Sequence, residues 1–221
     1  MNGLARESKN MTAAYDLFVR ELNSRGREYG DGFSFIDPFE LTPQERVKTR
    51  DALRACIDRQ EERAPKALAL IDPGEETVTL LTTLFQSASR APSPSAFDIA
   101  VAGALAYLAD APAALDLLER TAVGDGGMWI TGAAMEGLII ADEHSNASAR
   151  LAHLVRTQTD EDALQLCADG LLQRHGWNVD DEETQDEALA LLDDMMSGDA
   201  AARDAALLKV LKTPVRPWPW V

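Results

Sequence analysis

The chain has 221 residues, 46% of them hydrophobic, enough for a sizeable core and too many for a disordered polymer. Its 37 acidic and 21 basic side chains leave a net charge of −16, which repels nucleic acid and anionic membrane surfaces and attracts basic partners. Aromatic residues make up only 6% while alanine is abundant, a composition suited to close-packed helices rather than to sheets of β-branched residues.

Met11, Ala14, Tyr15, Phe18 and Leu22 fall at helical spacing and predict a first amphipathic helix that ends before Gly26. From Ser24 to Leu41 the breakers Gly26, Gly30, Gly32 and Pro38 predict a loop, yet it carries Tyr29, Phe33, Phe35, Ile36 and Phe39. Such a loop must pack on something, either as a lid over the N-terminal end of a helical stack or as a binding loop. Thr42-Pro43-Gln44-Glu45 is a capping-box start, and the helix it opens runs through Val47, Leu53 and Ile57 as far as Glu62. Short helices follow at Ala67–Ile71 and Glu75–Ala88, then the break Ala91-Pro92-Ser93-Pro94, with Ser95 as the next cap.

Beyond Ser95 the helices come in pairs: Ala96–Ala109 with Ala113–Ala122, Met128–Ala141 with Ala147–Thr157, and Glu161–His175 with Glu183–Ser197. The first member of each pair is apolar nearly all round and must be covered on more than one side, with Trp129 expected in the core. The phrases 100–106, 133–139 and 166–172 recur at a spacing of 33 residues and align Leu105, Leu138 and Leu171. Ala104, Gly137 and Gly170 precede those leucines, as close helix contact requires. A fixed period of this length marks stacked repeats, each burying its apolar face on the next. A last helix at Ala200–Lys212 stops at Pro214, and the tail from Pro214 to Val221 is extended because its prolines forbid helix.

The cadence AGALAYLADAPAALDLLERTA, AAMEGLIIADEHSNASARLAHLVRT and CADGLLQRHGWNVDDEETQDEALALLDDMM resembles HEAT-like repeats of about thirty residues, over Ala96–Lys212. The resemblance implies an all-α fold, a right-handed α-α superhelix of antiparallel helix pairs. The chain departs from the family in the acidic segment Trp177–Gln185 and in lacking its usual arginine in most repeats. Tetratricopeptide repeats have a similar period, and Gly103 and Tyr107 stand at a spacing reminiscent of their first helix. The division expected is 1–94 as N-terminal helices with the aromatic loop, 95–213 as the repeats, and 214–221 as a Pro/Trp tail.

Between Thr157 and Asp204 stand 14 carboxylates against two arginines, so this segment holds 12 of the 16 net negative charges. Asp180, Asp181, Glu182, Glu183, Asp186, Glu187, Asp193 and Asp194 form a run and a helix face opposite the apolar stripe Ala188, Leu191, Leu192, Met195 and Met196. A helix N-terminus favours Glu183, Asp186 and Glu187, but not Asp193 and Asp194 at the other end. The face reads as solvated or as a dock for a basic protein. Trp218 and Trp220 in the tail are candidate partner contacts, unless the tail folds back to cap the last helix.

The remaining chemistry is thin. Asp142, Glu143 and His144 share a loop, but no second histidine lies at metal-ligand spacing, so the three histidines (His144, His153 and His175) read as surface residues. Gly124-Asp125-Gly126-Gly127 lacks a preceding strand and a following lysine, and reads as a turn between repeats. Cys56 and Cys167 form no CxxC and read as buried free thiols of a reducing compartment. Without an apolar N-terminal core or a run long enough to cross a bilayer, the expectation is a soluble, cytoplasmic protein. The sequence thus predicts a non-enzymatic protein-binding solenoid, without cofactor or metal, that engages a basic protein. One concrete form is an immunity or antitoxin protein neutralising a cationic toxin. The alternatives are a scaffold in a larger assembly, or a HEAT-like enzyme or small-ligand protein using Asp142, Glu143 and His144.

Overall fold

Five helix starts are closed by a side-chain cap, from Thr12, Thr42, Ser95, Asp160 and Asp199, among the described residues. The computed structural model describes residues 11–24, 33, 40–88, 93–124 and 127–218, and Tyr29, Phe35, Ile36, Phe39 and Trp220 lie outside them. Eleven helices and no strand occur among the described residues. They are α1 Ala13–Leu22, α2 Pro43–Asp58, α3 Ala64–Ile71, α4 Glu75–Ala88, α5 Ala96–Leu108, α6 Pro112–Ala122, α7 Gly127–Ile140, α8 Ala147–Thr157, α9 Glu161–Arg174, α10 Gln185–Met196 and α11 Ala200–Lys212.

The expected box at Thr42/Glu45 is formed, and Ser95, expected as a cap, forms a box of its own with Asp98. The Glu45 carboxylate goes further: it also accepts the Thr12 N–H at 2.8 Å and the Thr12 hydroxyl at 3.2 Å, tying the starts of α1 and α2 together. Helix α2 ends at Asp58, short of the expected Glu62, because Gln60 turns the chain with φ 58°. Helix α10 begins at Gln185, two residues after the expected Glu183. Asp181 Oδ1 accepts the Glu183 N–H at 3.0 Å and the Thr184 hydroxyl donates to the Asn178 carbonyl at 2.9 Å, holding residues 178–184 in turns.

Helices α3, α5, α7 and α9 lie side by side as a first row. Helix α6 packs against α5 and α7, and α8 against α7 and α9, as a second row. At the C-terminal end α10 packs on α9 and α11, and α11 reaches back to α8. This repeated packing is that of a helical-repeat architecture.

The 33-residue echo is where the rows touch. Leu138 and Leu171 are fully buried and Leu105 is nearly so. A Cβ added at Gly137 would lie 2.9 Å from Leu118 Cδ2 and 3.1 Å from Gly103 Cα, and one at Gly170 would lie 3.1 Å from Ile139 Cδ1 and Met135 Sδ. The small residues therefore set the spacing between α5, α7 and α9.

Turns are locked from neighbouring repeats. Asp142 N–H donates to Ala106 O at 2.8 Å. Arg174, with no exposed surface, donates from Nη1 to the carbonyls of Ala141 at 2.6 Å and Ile139 at 2.9 Å, from Nη2 to that of Asp142 at 2.8 Å, and from Nε to Ser148 Oγ at 2.9 Å. One guanidinium so closes the C-terminus of α7, a place where carbonyls have no partner in their own helix. Burial pulls its pKa down to about 10, which leaves it charged at neutral pH, and Asp142 and Glu143 pull the other way.

Two sequence expectations are corrected. Trp129 is not in the core: it is 60% exposed and Met128 is 93% exposed, because the first turn of α7 projects beyond its neighbours. Of the histidines, His144 and His153 are exposed but His175 is buried, its ring held between Ser148 Oγ and the Thr213 carbonyl. No helix among the described residues is long and apolar enough to cross a membrane.

Candidate functional site

Helix α10 buries Ala188, Leu191 and Met195 against the stack and half-buries Leu192 and Met196, so its opposite face is turned to solvent. Asp180, Glu182, Glu183, Asp186, Glu187, Asp193 and Asp194 are exposed, and Asp181 is half-buried by its turn. On the helix, Asp186 and Asp193 flank Leu189, a large apolar residue left 43% exposed, while Ala190 separates Glu187 from Asp194. Glu187 is engaged by Lys209 of α11, whose ammonium also lies 5.7 Å from the centre of the Trp177 ring. Asp186, Asp193 and Asp194 take part in no ion pair among the described residues.

The described part of the tail, residues 214–218, turns away from the last helix. It leaves α11 and runs back over the C-terminus of α9, where the Arg216 N–H donates to the Arg174 carbonyl at 2.9 Å. Trp218 then stands edge-on to Tyr107 of α5 with ring centres 5.2 Å apart, and the Lys66 ammonium of α3 lies 4.9 Å from the centre of its ring. Trp218 also forms one wall of a half-open cavity of about 250 Å³ between α7 and α9, lined by Met135, Glu136, Ile139, Asp169 and Gly170 among others. Burial raises the Asp169 carboxyl above its ordinary pKa, partly offset by a hydrogen bond with Gln165. The structure thus separates the two groups of expected contact residues, the acids on α10 and Trp218 on the first row.

Sequence reasoning did not find the cavity. Its signal was present in the register of Met128, Gly132, Met135 and Ile139 along an all-round apolar helix, a stripe that the second row does not cover.

The loop histidine is held locally. Asp142 Oδ1 accepts the His144 N–H at 2.9 Å, and Glu143 lies 3.6 Å from the exposed His144 ring. No group of three or more His, Cys, Asp or Glu side chains among the described residues is placed to hold a metal ion. Cys56 and Cys167 are free and buried. Burial pushes their thiols up to about 11 and about 12, with Glu61 adding to the effect at Cys56, so both stay protonated and poorly nucleophilic.

Near Glu45 the electrostatics are structural. Burial pushes its pKa up, but the hydrogen bonds from Thr12 and Thr42 outweigh that and hold it below the ordinary carboxylate value. Set against family models, curated proteins and solved structures, the chain matches none of them.

Proposed function

We propose that the chain is a non-enzymatic protein-binding solenoid, a right-handed superhelix of HEAT-like pairs, whose acidic end engages a basic protein. The observation that carries this reading is the set of unpaired carboxylates Asp186, Asp193 and Asp194, the first two flanking the exposed Leu189. Three like charges on one helix face repel one another, and a cationic surface relieves that repulsion while Leu189 supplies a small apolar centre. A stable complex needs about 800 Å² from each partner, more than one helix face offers, so the turns at residues 178–184 and the neighbouring surface of α11 belong to the same interface. Its narrower form is an immunity or antitoxin protein that covers the positive substrate groove of a cationic toxin.

The test is a low-salt pull-down with the native chain and with a triple reversal, Asp186→Lys, Asp193→Lys and Asp194→Lys. Glu187 is left unchanged because Lys209 already pairs with it. The reading requires one-to-one capture of a basic protein by the native chain and its loss on reversal. Capture that survives reversal, or no basic partner at all, overturns it.

A further inference from the structure

The second row turns polar side chains to solvent: Asp116 and Arg120 on α6, His153 and Arg156 on α8. Helix α11 does not follow that pattern. It buries Ala206, Leu207 and Val210, and Arg203 fastens its first turn to the end of α10 by donating to the Met195 carbonyl at 3.0 Å and the Ser197 carbonyl at 2.7 Å. The opposite face carries Ala201, Ala205, Leu208 and Lys212, at i, i+4, i+7 and i+11, and all four are exposed. Leu208 is 56% exposed and Leu211 on its flank 37%. Terminal helices of stacked repeats ordinarily present a polar outer face. This one presents alanine and leucine.

The face is self-complementary about Leu208. Three residues before it stands Ala205 and three after it Leu211; four before it stands Asp204 and four after it Lys212. Two copies of α11 laid antiparallel about a two-fold axis at Leu208 therefore set each alanine level with a leucine and each carboxylate level with an ammonium. Lys212 takes part in no ion pair among the described residues. Asp204 is 62% exposed, and Arg156 engages only its Oδ1, at 2.8 Å; a carboxylate accepts further donors at its other oxygen. Local charge permits the approach as well. Helix α10 carries Asp186, Glu187, Asp193 and Asp194 and no base, whereas α11 carries Arg203, Lys209 and Lys212 against Asp204 alone.

We propose that the outer face of α11 is the seat of a second copy of this chain, in a two-fold antiparallel pair centred on Leu208. Leu208 packs on Leu208 of the second copy, Leu211 closes over the small Ala205 of the second copy, and Lys212 reaches Asp204 of the second copy. A helix of 13 residues is about 20 Å long, so the strip buries less than the roughly 800 Å² per partner of a standard interface. The dimer is accordingly a weak one that fills as concentration rises. It uses none of Asp186, Asp193 and Asp194, so it goes beyond the proposed capture of a basic protein and does not depend on it.

Sedimentation equilibrium of the full chain tests the pairing as concentration is raised into the millimolar range, at moderate salt to screen the repulsion between two chains of charge −16. The native chain should pass from monomer to dimer. Leu208→Asp, an exposed change that leaves the helical circular dichroism native, should weaken the dimer roughly tenfold or more. The register is read by charge. Asp204→Lys and Lys212→Asp should each weaken the dimer by setting like charges level, and the two together should restore it. That charge exchange also decides the matter if Leu208→Asp fails to fold. Mild oxidation of Leu208→Cys should give a disulfide-linked dimer, whereas Leu189→Cys on the acidic face should not; Cys56 and Cys167 are buried and do not interfere. The proposal is overturned if the native chain stays monomeric, if Leu208→Asp dimerises as the native chain does, or if the charge exchange fails to rescue. Species that grow beyond a dimer would mean head-to-tail stacking and would equally overturn the two-fold pairing. None of these results decides the acidic-face reading, whose triple reversal leaves Asp204, Leu208 and Lys212 in place.

Discussion

Glu45 illustrates how one side chain can serve two helices. Replacing it by Gln removes the charge from bonds made by Thr12 and Thr42, and the expected loss of stability is about 1–3 kcal/mol, the usual cost of breaking charge-assisted bonds at a part-buried site. Because the folded-state pKa is lowered from 4.5, this carboxylate contributes stability that is complete above about pH 4.5 and is lost as the pH falls through the folded value. Urea melts from pH 3 to 7 should show that acid limb in the native chain and a shallower one in Glu45→Gln. His175 acts at higher pH with the same sign. Burial lowers its pKa from 6.5, with a hydrogen bond to Thr213 resisting and Arg174 assisting, so the fold disfavours the protonated ring and stability declines as the pH drops below about 6.5. Arg174→Met should cost roughly 3 kcal/mol or more, since it strands the carbonyls of Ile139, Ala141 and Asp142 in the interior, and thermal melting reads the loss directly. The sequence shows the Thr42/Glu45 box but not the second bond to Thr12. It shows Arg174 only as a rare cation in an acidic stretch, because both roles depend on contacts about 30 residues distant.

At the level of the helix, the two kinds of glycine on α7 give opposite expectations. Gly137→Ala drives a methyl group against Leu118 and the Gly103 backbone, and overpacking of that kind costs about 1–3 kcal/mol. Gly132→Ala meets open space and removes a flexible residue from the middle of a helix, so it should stabilise by about 0.5–1 kcal/mol. Denaturant midpoints of the two variants moving in opposite directions would check both at once. Helices were the most legible feature of the sequence. The 3.6-residue apolar period together with the polar and breaker residues that flank it locates α4, α8 and α11 to the residue, and most of the others to within two. The α10 start was shifted because Asn178, Asp181 and Thr184 form side-chain turns that compete with helix. Trp129 was misplaced because an apolar residue on an all-round apolar helix says nothing about which turn outruns its neighbours.

For the whole molecule, the repeat period revealed the stacked rows, since its small and large residues meet at the contacts among α5, α7 and α9. It could not reveal where the tail goes, because Trp218 meets Tyr107 and Lys66, more than a hundred positions earlier in the chain. The acidic face was legible as composition, and the structure adds that Leu189 is exposed among its unpaired carboxylates. The most direct measurement of the proposed role is the association rate of the captured basic partner with the native chain as ionic strength rises. Screening shortens from about 10 Å at 0.1 M salt to about 3 Å at 1 M, so a steered encounter slows steeply across that range. The account predicts at least a roughly tenfold fall in association rate between low and high salt, with the triple reversal at Asp186, Asp193 and Asp194 abolishing binding at low salt. An association rate that does not change with salt, or is the same for the reversed chain, would contradict it.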